Sequence, residues 1–340
     1  MKKNKWLLSL VLLLILLIIV VIVSSGLGAA RMGPVKILRI IFSKLPYVSI
    51  EKDWGDNEEL ALIDWRLPRI LIGVIVGGGL ALAGVVFQAL LRNPLADPYI
   101  LGVSSGGSLG AVIAIVLGIG SIKGFSILPL FAFGGSLLTI FFVYSIARTG
   151  GRVPVHTLLL AGVIVNAFFS AIIMFLVSVI REDETHKFLL WSMGNLSPAE
   201  SGLTIMVICL IIMSGLMLYY YARSFNLFSL GEESAAQLGA EVERVKRVSF
   251  VLASLLTGAS VSICGIIGFV GLIIPHIMRM VIGADHRILM PASALAGASF
   301  LVAADTVART ITLPSEIPVG VVTALAGGPF FIYLLRRNAR

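Results

Sequence analysis

Asp97 is the sole acidic residue between positions 65 and 181, and Asp285 is the sole one between 244 and 304. Carboxylates set inside apolar segments are how ion-coupled carriers hold and pass protons. Here both carboxylates fall where apolar runs break, so a proton relay has almost nothing to use. Nucleotide hydrolysis has no foothold either. The chain contains no Gly-Lys dipeptide, which excludes the G-x-x-x-x-G-K-[ST] phosphate loop. There is no HExxH, and His156, His186, His276 and His286 have no ligand-like spacing. His276 follows Pro275 in an apolar run and reads as a packed structural histidine. Cys209 and Cys264 lie inside apolar runs and read as small core residues rather than a disulfide or metal pair. No catalytic residue and no metal site are expected. If such a chain moves a solute uphill, the energy comes from a partner.

The elements that carry these residues are membrane helices. Of 340 residues, 58% are hydrophobic and 13% charged, with a mean hydropathy of +1.02. Soluble chains carry about 25% charged residues. Ten apolar runs are long enough to enter a hydrocarbon core of about 30 Å: 6–27, 68–91, 99–120, 125–147, 158–180, 202–222, 248–267, 270–283, 288–307 and 317–335. The eighth is the shortest. The first follows MKKNKW and exceeds the usual length of a signal-peptide core, so it reads as an uncleaved helix. The net charge of +8 does not point to nucleic acid, because the basic residues sit at segment ends.

Ten crossings put both termini on one side. Fifteen of the 26 Lys and Arg fall on that side, and seven of the remainder cluster between Arg31 and Arg69. The termini are therefore cytoplasmic. Between Arg31 and Arg69 six acids face those seven bases, so residues 28–65 read as a folded external loop. GGGLALAGVVFQALLRNPLADPYILG (77–102) and TGASVSICGIIGFVGLIIPHIMRMVIG (257–283) share small residues, a break and a second helix. Spans 2–5 then repeat as 7–10, offset by five and so inverted, a transporter signature. Gly73, Gly77, Gly84, Gly134, Gly162, Gly258, Gly265 and Gly297 read as close-packing sites between helices.

Two cytoplasmic segments stand out. In RNPLADPYILGVSSGG (92–107), Pro94 and Pro98 stop the incoming helix. Irregular backbone at membrane depth is tolerated only against protein or a cavity, which favours a gate over a plain turn. The segment 223–247, RSFNLFSLGEESAAQLGAEVERVKR, reads as two short helices, EESAAQL and AEVERVKR, separated by glycine. Ala235, Ala236 and Leu238 beside Glu232 and Glu233 make it an amphipathic docking surface.

LGEESAAQLG (230–239) resembles the coupling-helix motif of permease subunits from ABC importers for iron–siderophore complexes, haem and vitamin B12. RLPR (66–69), RNPLADPYILGVSSGG, LLLAG (158–162), GFVGLIIPHIMRM (268–280), ADHRILMPASALAGAS (284–299), ADTVAR (304–309) and EIPVGVVTALAGGPFFIYLL (316–335) are similar in order and spacing. The resemblance runs from about residue 60 to the C-terminus. It implies an all-α membrane protein of ten helices, one permease domain over 1–340, in a bacterial or archaeal cytoplasmic membrane. It implies a homodimer or a pair of homologues, with the pathway on the dimer axis. Asn93, Leu95, Ser104 and Ser105 would form the cytoplasmic gate, and RVPVHT (152–157), with Val155 and His156, its second element. Gly231, Glu232, Glu233, Gln237 and Gly239 would couple to a separate ATPase, which uses ATP and Mg while this chain binds no cofactor. Arg66, Arg69 and Arg309 would meet carboxylates of a periplasmic or lipid-anchored binding protein. Arg66 and Arg69 also stand at an expected helix start, where the dipole disfavours cations. The competing readings are an ion-coupled secondary transporter, which the scarcity of membrane carboxylates opposes, and a receptor-type membrane protein with no ATPase.

Overall fold

The apolar run after RLPR belongs to a helix that begins well before it. In a computed structural model, Asp56–Leu90 is helical over 35 residues. The structure describes residues 2–338 apart from 29, 30, 45, 47, 49, 120, 123, 124, 151, 152 and 198–200. In chain order it holds α1 (Lys2–Gly26), α2 (Pro34–Ser43), α3 (Asp56–Leu60), a π turn (Ala61–Arg66), α4 (Leu67–Leu90), a 3-10 turn (Pro98–Leu101) and α5 (Val103–Val116). A strand pair, β1 (Ser121–Ile122) and β2 (Phe125–Ser126), precedes α6 (Leu128–Ala147), α7 (Val155–Val179), α8 (Glu182–Ser192) and α9 (Ser201–Tyr220). Then come α10 (Ala222–Phe228), α11 (Glu232–Gln237), α12 (Val242–Cys264), α13 (Val270–Ile282), α14 (His286–Thr310) and α15 (Val319–Asn338).

Seven helices are long and apolar enough to cross a membrane, and the shorter Val103–Val116, Val270–Ile282 and Val319–Tyr333 complete ten. Each overlaps one span expected from the sequence. The all-α reading holds, with the two-residue antiparallel pair Ser121↔Ser126 and Ile122↔Phe125 beside the helices. Two expectations change. The segment 28–65 holds α2, α3 and most of the π turn, so helix 2 projects beyond the expected start at 68. AEVERVKR is not a separate short helix. From Val242 it is the first turns of α12, because no glycine or proline interrupts the pattern until Gly258.

Burial separates the helices by role. Of the most apolar window, 83% is buried in Asp56–Leu90 but 6% in α1. Helix α4 is the centre and α1 faces lipid while packing on α14. Close approach decides the centre. A Cβ on Gly77 would stand 2.5 Å from the Gly297 carbonyl, and one on Gly297 would stand 2.5 Å from that of Gly77. Two backbones in contact need glycine on both sides. The packing expectation fails at Gly134, where nothing lies within 4 Å. It also fails for Cys209, which is exposed, while Cys264 is buried.

The two halves match in kind. Helices α5 and α13, with 14 and 13 residues, are the short members of their halves. Each is entered through a left-handed residue, Gly102 at φ 78° and Phe269 at φ 70°. Packing repeats as well. Helix α4 lies on α14 as α12 lies on α6, α5 on α6 as α13 on α14, and α4 on α13 as α12 on α5. The inverted relation of spans 2–5 and 7–10 is therefore present in the packing. Phe269 is the costly copy, since a left-handed residue with a side chain carries about 1–2 kcal/mol. Its ring lies where Gly327 of α15 has no side chain.

The external segment has its own small core of Met32, Ile37, Ile40, Trp54 and Leu62. Around it Lys36 pairs with Glu58 at 2.9 Å, Lys52 with Glu59 at 2.9 Å, and Arg39 with Asp53. The balance of acids and bases read from the sequence thus becomes local ion pairs.

Candidate functional site

Helix α4 ends in a break whose polar groups are satisfied locally. Arg92 adopts φ 48°, the left-handed region. The Asn93 Oδ1 accepts from the Leu95 amide at 2.9 Å, and the Asp97 Oδ1 from the Tyr99 amide at 2.7 Å. The Tyr99 hydroxyl donates to the Ile267 carbonyl at 2.9 Å, tying this break to the matching one before α13. Asn93 is exposed and Leu95 is 39% exposed. Ser104 and Ser105 are not. Each is 8% exposed, and the Ser105 hydroxyl donates to the Gly102 carbonyl at 2.8 Å. Gly106 lies against Gly135 and Thr139 of α6. Within one chain, the small cluster after the break is a helix-packing face.

Next to the break lies the short helix α11. Gly231 and Gly239 flank it at φ 102° and 86°. Glu233, Ala236, Gln237 and Leu238 are exposed, whereas Ala235 is fully buried and belongs to the core side rather than to a docking face. Glu232 turns inward to the chain. One carboxyl oxygen accepts from Arg92 at 3.0 Å and the other from Lys246 of α12 at 3.0 Å. Burial alone would raise this carboxyl, but the Lys246 and Arg92 hydrogen bonds outweigh it and hold it below its ordinary range. Lys246 also bonds Glu243 at 3.4 Å, and Glu243 accepts from the Val153 amide at 3.3 Å.

That chain of contacts ends beside α7. Arg92, Val155, His156, Gly231, Glu232 and Glu233 all line one open cleft of about 760 Å³. The structure thus brings the segment expected as the second gate element and the helix expected to couple together around Arg92. Arg152 lies outside the described residues. Further along α7, Asn166 is exposed. Beneath the break, Gln88 is 3% exposed and bonded to the Leu272 carbonyl at 3.3 Å.

At the opposite membrane face, three arginines converge. Arg66, Arg69 and Arg309 are 7%, 8% and 6% exposed. The Arg69 guanidinium grips Asp305 through Nε at 3.0 Å and Nη2 at 2.9 Å, and Glu316 through Nη1 at 2.7 Å. Arg309 Nε donates to Asp305 at 3.0 Å, and Nη2 to the Ser24 hydroxyl at 2.9 Å. Arg66 donates to the Ser25 carbonyl at 2.9 Å. Two expectations are corrected here. These arginines are buried and internally bonded, not exposed ends of side chains. Arg66 also does not stand at a helix start, since Asp56 does, so the dipole argument does not apply. Asp305, Ser24 and Ser25 were not singled out from the sequence. The i, i+4 spacing of Asp305 and Arg309 on α14 was a readable signal for one of them.

A buried polytopic bundle with inverted halves, a broken helix pair at one face and a short amphipathic helix docked beside it defines a membrane permease. The FecCD transport family pattern matches residues 15–337, and the chain belongs to this family. It is 48% identical over 271 residues, 80% of its length and 72% of the relative's, to a cobalamin import system permease from Halobacterium salinarum. It is 39% identical to the hemin transport system permease of Yersinia pestis, covering 92% of each chain. Among solved structures, a metal-chelate type ABC transporter in an inward-facing conformation matches with a TM-score of 0.82 and 32% identity over 96% of this chain and 98% of that one.

Proposed function

We propose that this permease is the membrane half of an ATP-driven importer that moves a bulky metal chelate, of the iron–siderophore, haem or cobalamin class, into the cytoplasm. A second copy or a homologue lines the other side of the pathway. A separate ATPase dimer supplies the energy, and an external binding protein supplies the ligand, while this chain holds no cofactor. The observation that carries the reading is Glu232, which joins the coupling helix α11 both to Arg92 at the gate break and to Lys246 of α12. A push on α11 is thereby delivered to the break and, through Glu243, to the start of α7. The exposed side of α11, with Glu233, Ala236, Gln237 and Leu238, is the face left for the ATPase.

The ion-coupled alternative has little to work with. Asp305 is the most buried carboxylate of the crossing helices, yet Arg69 and Arg309 already hold it. Both of its oxygens are already taken by guanidinium donors. The test is uptake by proteoliposomes containing the permease, its ATPase and its binding protein, offered ferric siderophores, haem and cobalamin in turn. Accumulation of one of them should need internal ATP and survive collapse of proton and sodium gradients. Uptake driven by an ion gradient without ATP would overturn the assignment.

A further inference from the structure

A second cavity, of about 400 Å³, shares no lining residue with the cytoplasmic cleft. Its walls are Leu17 of α1 and residues within 74–82 of α4, 211–219 of α9 and 290–298 of α14, with Leu256 of α12 at its floor. The lining is aliphatic, glycine, alanine and proline, with one thioether, that of Met290, and one hydroxyl, that of Tyr219. Such a surface cannot grip a chelate. Each of the three longer stretches spans nine residues, or about 12 Å along a helix. One leaflet of a hydrocarbon core is about 15 Å deep.

The depth axis is fixed by what stands at one end. The Tyr219 hydroxyl donates to the Arg287 carbonyl at 3.2 Å. The Arg287 guanidinium sits 5.2 Å from the centre of the Trp6 ring. Trp6, Tyr219 and Tyr220 are the aromatic residues expected at headgroup level, and this is the cytoplasmic face. From Trp6 to Leu17 is about 16 Å of helix, so the groove reaches from the interface to the bilayer centre. Arg287 is neutralised by Asp285 at 2.5 Å. Lys5, next to Trp6, and Arg223, one turn beyond Tyr219, are exposed and make no ion pair among the described residues. The membrane face at this end of the groove therefore carries positive charge with no ion pair among the described residues.

We propose that this groove holds one acyl chain of an anionic phospholipid of the cytoplasmic leaflet, with the headgroup phosphate facing Lys5 and Arg223. A lipid chain fits the wall chemistry and the leaflet depth, and the charge at the mouth selects the headgroup. The site ties α1, which otherwise meets mainly α14, to the bundle on its lipid side.

The test uses the full permease in nanodiscs of mixed phosphatidylglycerol and phosphatidylcholine, with native mass spectrometry of the lipid retained on mild release. Wild type should retain phosphatidylglycerol in preference to phosphatidylcholine. Gly215→Leu and Ala294→Leu fill the groove and should abolish retention. Because a filled groove could disturb folding, the exposed variants Lys5→Gln and Arg223→Gln give a second reading. Each should reduce the phosphatidylglycerol preference roughly fivefold, the factor for one basic residue at an anionic surface, while leaving thermal unfolding unchanged. Equal retention by the filled variants, retention blind to headgroup charge, or a polypeptide seated on this face would each overturn the proposal.

Discussion

Arg92 Nη2 and Glu232 Oε1 stand 3.0 Å apart although 140 residues of chain separate them. One is the first residue of the break after α4, and the other the first residue of the coupling helix. Neither is fully buried, with side chains 46% and 31% exposed. Such a pair adds about 0–1 kcal/mol to stability. On the proposed coupling role its position matters more than its energy, because it links α11 directly to the break. Glu232→Gln is expected to leave thermal unfolding within about 1 kcal/mol of wild type. It should lower ligand uptake several-fold while ATP hydrolysis by the assembled complex continues. Glu232→Asp, which keeps the carboxylate for Arg92 and Lys246, should retain part of the uptake. Full transport by Glu232→Gln would remove the pair from the coupling path.

The flanking glycine gives a second expectation. Gly239 has φ 86° and its amide donates to the Ala236 carbonyl at 3.0 Å. A Cβ there would meet nothing within 4 Å, so space is not the constraint and backbone conformation is. Proline locks φ near −65° and lacks the amide hydrogen. Gly239→Pro should therefore fold and reach the membrane yet uncouple uptake from ATP hydrolysis. Gly239→Ala should be milder, near the 1–2 kcal/mol of a left-handed residue with a side chain. Uptake and hydrolysis measured together on both variants check this, and normal uptake by the proline variant would refute the role given to α11.

Acid should act on the same contact. The Glu232 carboxyl is held below its ordinary 4.5. A carboxyl lowered in the folded state lends stability that is complete above the unfolded value and is lost as pH falls through the folded one. The bond to Lys246 and Arg92 should thus persist from neutral pH to about 4.5 and loosen only below it. Hydrogen exchange of the 231–239 amides, corrected for the intrinsic pH effect, should show protection constant between pH 7 and 5 and falling under more acid conditions. In Glu232→Gln the protection should already be low at pH 7.

The external arginines need a different design from a simple charge reversal. Asp305 is 2% exposed and holds both Arg69 and Arg309. Removing its charge leaves buried guanidiniums short of a partner, which costs about 3–5 kcal/mol. Glu316, with a side chain 49% exposed, should cost only about 0–1 kcal/mol when neutralised. Denaturant unfolding in detergent should separate Asp305→Asn from Glu316→Gln by that margin. Arg309→Glu would weaken binding-protein docking and the fold together, so docking is read better from Glu316→Gln. That variant frees one hydrogen-bonding arm of Arg69 at the external surface. It should tighten salt-sensitive association with the binding protein, and unchanged affinity would detach Arg69 from docking.

Much of the architecture was legible in the sequence because a bilayer imposes one strong rule: about twenty apolar residues make a span. That rule gave ten spans and, with the positions of Lys and Arg, their orientation. It failed where charged residues continue a helix. DNEELALIDWR reads as external loop because it is polar and Pro68 follows it, and AEVERVKR reads as a separate short helix, yet each runs directly into the span after it. The break after α4 was readable from Pro94 and Pro98, since proline acts locally. The burial of Ser104 and Ser105 was not, because it depends on helices packed against α5 from elsewhere in the chain. Arg69 and Asp305 are 236 residues apart, and no spacing within one sequence links them. Glu232 stands out for its place in a motif, but its two cationic partners lie in the break after α4 and on α12.

Ligand grip is the last expectation. Helix α4, the break, α5 and α7 carry Gln88, Asn93, Ser104, Ser105 and Asn166 as polar groups. The structure leaves Asn93 and Asn166 exposed and buries the other three within the chain. Leu95 and the apolar face of α7, including Val163, Ile164 and Phe168, make up the exposed remainder. Two amides among aliphatic side chains provide no bidentate cation for a carboxylate and no donor set for a chelated metal. Passage also requires a site weak enough to release its ligand. Selectivity then belongs to the external binding protein. Calorimetry on the permease–ATPase complex without that protein, titrated with ferric siderophores, haem and cobalamin, should find nothing tighter than about 100 μM, or about −5.5 kcal/mol. A micromolar site for any one of them would place specificity in these helices instead.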